Sequence, residues 1–124
     1  MGIGFSHYYE ECFYFDMKEE SVTDLYNLIE NKLMENKSFE IVDDRDLIKV
    51  MFQREPLNPD LIQKSNGVIY ATWTSSCWSF VDDIVFMIGK DGKENYVYAK
   101  SVSRVGKYDF GQNRKHIMSI MQDI

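Results

Sequence analysis

The sequence predicts one α+β domain over residues 1–124, with an antiparallel sheet of five or six strands and two main helices. Two stretches repeat apolar residues at three- and four-residue spacing, which is typical of helices that bury one face. Between them, apolar segments of strand length follow one another across short polar turns, and such connections favour antiparallel neighbours. Hydrophobic residues make up 44% and aromatic residues 15% of the chain, so one core can close without disulfides or metal.

A strand followed by a helix opens the predicted domain. The segment from Tyr9 to Asp16 is rich in Phe, Tyr and Cys, which is typical of a strand. Ser21 then caps a helix through its hydroxyl, with Asp24 at the third helical position, where the helix dipole favours negative charge. The apolar stripe consists of Val22, Leu25, Ile29 and Leu33. We expect the helix to end near Asn36, because asparagine tolerates the left-handed cap conformation.

Five further strands and one short helix are predicted between the two main helices. The strands are Phe39–Val42, Leu47–Gln53, Val68–Ser75, Phe80–Ile88 and Tyr96–Val105. In the second of these, Ile48, Val50 and Phe52 would share one face. Asn58 followed by Pro59 predicts a short helix over Pro59–Lys64. On the last strand, the small residues Val97, Ala99, Ser101 and Ser103 share a face that suits the close approach of a helix.

The C-terminal helix is predicted to lie across that face of small residues. Asp109 is its expected N-cap, with Gln112 three positions later, and Gly106 gives the preceding turn a residue that adopts positive φ. Its buried stripe is Phe110, Ile117, Ile120, Met121 and Ile124, interrupted by Asn113 and Arg114. The periodicity places His116 on the solvent side. A curved antiparallel sheet with a long helix across it resembles the helix-grip topology, which implies a fold and no activity.

The distribution of charge argues against nucleic-acid binding. The net charge is −6, and residues 1–60 hold 14 acidic and 6 basic side chains, whereas residues 61–124 hold 6 and 8. The first half therefore repels nucleic acid and anionic membrane, and the second half is too weakly basic to track phosphates. Five basic residues do cluster in sequence: Lys100, Arg104, Lys107, Arg114 and Lys115. They form either a solvated rim with one internal ion pair, which we favour, or an anion site.

Neither cysteine usage nor any motif indicates a metal or a cofactor. Cys12 and Cys77 have no Cys or His neighbour at metal-ligand spacing, so we expect no bound metal and no cofactor. The segment 1–5 lacks the basic residues and apolar run of a signal peptide, and no apolar run reaches the length of a membrane span. We therefore expect a cytoplasmic protein with reduced thiols.

Two segments resemble the signature of a known family. Residues 80–86 read Phe-Val-Asp-Asp-Ile-Val-Phe, and residues 101–114 contain Ser-Val-Ser-Arg-Val-Gly followed by Asp-Phe-Gly-Gln-Asn-Arg. This pattern is similar to domain-of-unknown-function family 1499, which has an aspartate pair in an apolar strand, a Ser-x-Ser-Arg-x-Gly turn and Asp-Leu-Gly-x-Asn-Arg. Phe110 replaces the usual Leu, and the Cys-containing Pro-Asn segment of bacterial members has no counterpart. The resemblance implies a fold and no established chemistry.

The adjacent aspartates cannot form a facing carboxylate pair. Asp82 and Asp83 follow one another in a predicted strand, so their side chains point to opposite faces. One of them shares a face with apolar neighbours and needs a partner, for which Arg104 is the natural candidate. We favour a structural latch, an ion pair that holds the turn from Arg104 to Arg114, over an anion or substrate site.

Other polar and aromatic residues leave more than one interpretation open. Ser101 and Ser103 would need His7 or His116 brought close by the fold to form a hydrolase triad. For Trp73, Trp78 and Phe80 we favour packing in the core and at the sheet edge over the alternative, the lining of an apolar pocket between the sheet and the C-terminal helix. The candidate ligand-binding residues are Asp82, Asp83, Ser101, Ser103, Arg104, Asp109, Asn113 and Arg114.

Three functions follow from these candidates. The preferred one is non-catalytic binding of a small apolar or amphipathic ligand between the sheet and the C-terminal helix. The second is an enzyme that uses Asp82 or Asp83 with Arg104 and Asp109 around a polar cleft. The third is a protein-interaction or scaffold module. A closed apolar void would support binding, a polar cleft with converging Arg and Asp would support catalysis, and the absence of a void would support a scaffold.

Overall fold

The fold was obtained as a computed structural model, which describes residues 7–16, 21–77, 79–107 and 109–124. The elements in chain order are β1 (Tyr8–Asp16), α1 (Val22–Glu35), β2 (Phe39–Ile41), α2 (Arg45–Lys49), α3 (Pro59–Lys64), β3 (Gly67–Thr74), β4 (Val81–Asp91), β5 (Glu94–Ser103) and α4 (Gln112–Met121). The predicted α+β class is confirmed, with five strands and four helices in the part of the chain described. None of these helices combines the length and apolarity needed to cross a membrane.

The five strands form one antiparallel sheet in the order β1-β5-β4-β3-β2. The long hairpins β3–β4 and β4–β5 build its centre, and β1 returns to pair with β5. Their register places Trp73 opposite Asp82, and Asp82 opposite Ser103. Because directly paired residues project to the same face, these three side chains form a row across the end of the sheet.

Helices cover the two faces of the sheet unequally. On one face, α1 and α4 pack over a large core that contains Leu25, Ile29, Ile84, Phe86, Val97, Ala99 and Ile117. On the other face, the segment from α2 to α3 covers a smaller core that contains Met51, Phe52, Val85, Met87 and Val102. Strand β4 supplies alternate residues to both cores, which explains why it is apolar on both sides.

The first helix follows its sequence signals closely. The Ser21 hydroxyl accepts from the Asp24 N–H at 3.0 Å, and the Asp24 carboxylate accepts in return from the Ser21 N–H, completing a capping box. Leu25, Ile29 and Leu33 are buried. Asn36 ends the helix in an extended conformation with φ −113°, so the expected left-handed cap is wrong.

The predicted strand Leu47–Gln53 is wrong, because helix α2 occupies Arg45–Lys49. The Asp44 carboxylate accepts from the N–H groups of Asp46 and Leu47 and so starts a helical turn. The chain leaves this turn through Phe52, whose φ is +61°, and buries Met51 and Phe52 against the sheet. The segment therefore contributes to the second core as a compact turn, and the sheet has five strands within the described ranges.

The entry to α4 also differs from expectation. Helix α4 begins at Gln112 with Gly111 as N-cap at φ +80°, a conformation that glycine adopts without steric cost. Asp109 still caps the helix, since its carboxylate accepts from the N–H groups of Gly111 and Asn113. Phe110 precedes the helix and is 76% exposed, so its predicted place on the buried stripe is wrong. Gly106 has the expected positive φ, at +89°.

Candidate ligand-binding cleft

A cleft of about 660 Å³ opens at the end of the sheet where the row Trp73–Asp82–Ser103 lies. The loop between β3 and β4 and the loop between β5 and α4 flank it. Its apolar lining consists of Trp73, Phe80, Val105 and Phe110, and its polar lining consists of Ser75, Asp82, Ser103, Asp109 and Gln112, with Gly106 between them. The cleft is thus partly open and mixed in character, and it lies between the sheet and the start of the C-terminal helix.

Asp82 and His116 form a buried pair beside the cleft. The His116 Nε2 lies 2.7 Å from the Asp82 Oδ2, and the two residues are 3% and 6% exposed. The imidazole also contacts the Trp73 ring, with 4.2 Å between centroids. The expected surface position of His116 is therefore wrong. On α4, His116 lies three residues after Asn113 and four before Ile120, so it belongs to the face that packs on the sheet.

Asn113 joins three parts of the chain through one buried side chain. Its amide oxygen accepts from the Ser101 hydroxyl at 2.6 Å. Its amide nitrogen lies 2.9 Å from the Ser103 hydroxyl, 2.7 Å from the Asp109 carboxylate and 3.1 Å from the His7 carbonyl. Asn113 is fully buried, so these bonds replace the water that its amide loses. They fix α4 to β5 and to the residue that precedes β1.

Asp83 lies on the opposite face of the sheet and pairs with Arg104, so of the two aspartates that the sequence left open as partners of Arg104 it is Asp83 that pairs. The Asp83 Oδ1 accepts from both Arg104 Nη2 at 2.7 Å and Arg104 Nε at 2.8 Å. The Phe52 N–H donates to Asp83 Oδ2 at 3.1 Å. A separate groove of about 280 Å³ lies here and includes Arg54 in its lining. Asp83 and Arg104 consequently do not share a cleft with Asp109.

The remaining candidate residues lie apart from the cleft. Ser101 is fully buried beneath Asn113. Arg114 is exposed, and its guanidinium lies 6.0 Å from the centre of the Tyr9 ring. Lys100 is buried on the other face, 5.4 Å from the Tyr8 ring. The basic residues that cluster in sequence are thus distributed over both faces and do not converge on one anion site.

Of the predicted site residues, the fold brings Asp82, Ser103 and Asp109 to the cleft itself, with Asn113 directly behind them. Trp73 and Phe80 line the cleft, as the pocket interpretation of the aromatic residues expected, whereas Trp78 lies outside the described residues. Sequence reasoning missed five lining residues, Ser75, Val105, Gly106, Phe110 and Gln112. The last four precede or lie within the Asp109–Arg114 segment, so its neighbourhood was the available signal.

No metal site emerges in the part of the chain that the structure describes. Groups of three or more His, Cys, Asp and Glu side chains that could hold an ion are not found there. Cys12 and Cys77 are both free and exposed.

The fold and the cleft define a small antiparallel α+β domain with a mixed cleft at the N-terminal end of its last helix. The chain belongs to the family described as "Protein of unknown function (DUF1499)", whose model matches residues 6–124, so the family indicated by the two sequence segments is confirmed. No solved structure matches the chain.

Curated proteins similar to this chain are much longer. An arginine–tRNA ligase of Lactococcus lactis subsp. cremoris strain MG1363 is 28% identical over 125 residues, which cover 94% of this chain and 20% of that protein. The arginine–tRNA ligase of Lactococcus lactis subsp. lactis strain IL1403 is 27% identical with the same coverage. The chain therefore spans about a fifth of the length of these relatives.

Proposed function

We propose that the domain binds a small amphipathic ligand, without catalysis, in the cleft between the end of the sheet and α4. The observation that carries this proposal is the composition of the cleft: aromatic and aliphatic walls from Trp73, Phe80, Val105 and Phe110 surround a floor with buried polar groups. A volume of about 660 Å³ falls within the range of small-molecule sites in proteins. Apolar walls supply affinity, and the few polar groups orient the ligand.

The framework around the cleft supports this role because it is held before any ligand arrives. Ser103 is fixed by Asn113, Asp82 by His116, and Asp109 by the N–H groups at the start of α4. Side chains that are already oriented lose little conformational entropy on binding. The exposed Phe80 and Phe110 lie at the rim, where they cover bound apolar surface.

Catalysis around Asp82 or Asp83, Arg104 and Asp109 receives less support. Arg104 pairs with Asp83 on the far face, and Asp109 is engaged in capping α4. The carboxylate, guanidinium and second acid therefore do not converge on a point where a reacting atom would sit.

A titration followed by amide NMR tests the proposal. The probe is n-octanol, which has an apolar body and an uncharged polar head. We expect shifts at the amides of Trp73, Ser75, Ser103 and Gly106, and weaker binding by the Phe110→Ala variant. Val68→Ala, on the opposite face, is the matched control and should bind as wild type does. Shifts centred on the far groove, or no saturable shift at millimolar octanol, would reject the proposal.

A second candidate function, a module that docks onto a larger protein, is favoured by one observation. Nearly the whole chain is similar to one fifth of each arginine–tRNA ligase, so related sequence is built into longer proteins. Sedimentation of this chain with a Lactococcus lactis arginine–tRNA ligase that lacks the similar segment tests the idea. A stable complex would support it, and independent sedimentation at micromolar concentrations would reject it.

A further inference from the structure

We propose that the ligand of the cleft is a cation, namely a protonated amine attached to an apolar body. This inference rests on the proposed binding function and names the chemical class of the ligand. It follows from the charges on the lining, from the hydrogen bonds that the lining leaves open, and from the way in which α4 is capped.

The charge of the described lining favours a cation. The lining holds two aspartates, Asp82 and Asp109, and the described residues contribute neither Lys nor Arg to it. Arg104 pairs with Asp83 on the far face and Arg114 lies over Tyr9, and the exposed Lys107, which follows Gly106, is not among the lining residues. Charge complementarity therefore disfavours a carboxylate or a phosphate and attracts an ammonium group.

Asp82 offers the acceptor that an amine needs. This residue is 6% exposed, yet it is one of the residues that line the cleft. Among the described residues, only His116 donates a hydrogen bond to it, and that bond uses Oδ2. A buried carboxylate with a single donor retains acceptor capacity, because an ionised carboxylate has two oxygens and about four lone-pair sites. An N–H of a bound amine would satisfy the other oxygen, Oδ1.

The start of α4 does not offer a competing anion site. Helix N-termini attract anions through their unpaired N–H groups. Here the Asp109 carboxylate already accepts from the N–H groups of Gly111 and Asn113. The aromatic lining adds a further preference, because the faces of Trp73, Phe80 and Phe110 are negative in their quadrupole and attract cations.

A matched series of three probes tests the inference: n-octylamine, n-octanol and n-octanoate, which share one apolar body and carry a positive, neutral or negative head at pH 7. Dissociation constants are measured by amide NMR titration. We expect n-octylamine to bind about tenfold tighter than n-octanol, the scale of one hydrogen bond to a charged group, and n-octanoate to bind most weakly. Equal or tighter binding of n-octanol or n-octanoate at the cleft would overturn the cation preference and leave the proposed function standing.

A variant locates the preference at Asp82. Asp82→Asn should reduce n-octylamine binding to the level of n-octanol while n-octanol binding is retained. Asp123→Asn removes the same charge from an exposed site at the far end of α4 and should leave all three constants unchanged. If Asp82→Asn unfolds, the Phe110→Ala variant still tests whether the three probes bind in the cleft, because it should weaken the binding of all three and preserve the order of their affinities. An unchanged preference in folded Asp82→Asn, or binding of none of the probes by wild type, would contradict the inference, the latter together with the proposed function.

Discussion

Asp82 and Asp83 are neighbours in one strand, yet they belong to regions that use a carboxylate differently. Asp83 faces the layer of α2 and α3, where the Arg104 guanidinium and the Phe52 N–H donate to it. Asp82 faces α1 and α4, where His116 alone among the described residues donates to it and where the cleft begins. Both are buried, Asp83 at 3% exposure and Asp82 at 6%, so burial does not distinguish them.

The difference lies in how completely each carboxylate is satisfied. Asp83 has a full cationic partner and a donor for each oxygen, which is the arrangement of an ion pair that stabilises a fold. Asp82 keeps acceptor capacity on the side of the cleft, as a group that orients a ligand does. The same residue type at consecutive positions thus indicates structure on one face and binding on the other, and each of the following predictions tests one half of that contrast.

We expect the largest loss of stability from Asn113→Ala, which lies on the Asp82 side, the face of the sheet toward which Asp82 points. This change removes the partner of Ser101, Ser103 and Asp109 and leaves a small cavity in a fully buried position. The free energy of unfolding should fall by about 3 kcal/mol or more, from the unsatisfied polar groups and the lost packing together. Urea denaturation measures it. Asn31→Ala on the exposed side of α1 is the control, and a loss below about 1 kcal/mol for Asn113→Ala would contradict the role of Asn113 as a clamp.

The next effect is on the Asp83 side, from Arg104→Ala. The change leaves a buried carboxylate without its cation, which costs about 3–5 kcal/mol where both partners are buried. Because the Arg104 side chain is 44% exposed and the Phe52 N–H remains, we expect about 2 kcal/mol. Thermal and urea unfolding measure it, with the exposed Arg114→Ala as control. If Arg104→Ala unfolds at the midpoint of wild type or higher, the latch interpretation fails, and Asp83 and Arg104 become candidates for a functional site.

Local signals in the sequence were sufficient where they agreed with one another. Helix α1 has a capping box and an apolar stripe that predict the same element, and both are present in the structure. At Leu47–Gln53 the signals conflicted. The alternation of Ile48, Val50 and Phe52 covers too few residues to distinguish a strand from a helical turn. The cap supplied by Asp44 favours the turn, which is the element observed.

The candidate site was predictable in part. The Asp109–Arg114 segment and the aspartate pair led to Asp82, Ser103, Asp109 and Asn113. The row Trp73–Asp82–Ser103 depends on the register of three strands, which turn residues alone do not determine across the loop between Thr74 and Val81. His116 was missed for a different reason, since a polar residue within a buried helical face breaks the apolar pattern on which the prediction depended.

A smaller effect on the Asp82 side is expected from Asp109→Ala. The carboxylate accepts from the N–H groups of Gly111 and Asn113 and from the Asn113 amide, so its loss should cost about 1–2 kcal/mol. Asp109→Asn keeps an acceptor oxygen for the cap and should lose less. Urea denaturation of both variants measures which of them loses more stability. If the alanine variant is as stable as wild type, Asp109 does not hold the start of α4, and the preorganised cleft loses one of its supports.

The smallest effect concerns pH on the Asp83 side, at Tyr98. Burial raises the pKa of the Tyr98 phenol above its ordinary value, and the hydrogen bond that it donates to the Glu10 carboxylate raises that pKa further. Its folded pKa therefore exceeds its unfolded pKa, so the stabilisation is fully present below about pH 10 and is lost as the pH rises, because the unfolded chain releases its proton first. Between pH 8 and 10.5 this linkage should lower the free energy of unfolding of wild type by less than about 1 kcal/mol.

Urea denaturation across that pH range should show a shallower decline in stability for Tyr98→Phe, which cannot ionise. The decline should be intermediate for Glu10→Gln, which removes one cause of the pKa shift. Parallel declines in wild type and Tyr98→Phe would show that the phenol titrates alike in folded and unfolded chains, and the hydrogen bond from Tyr98 to Glu10 would then add no stability to the far face.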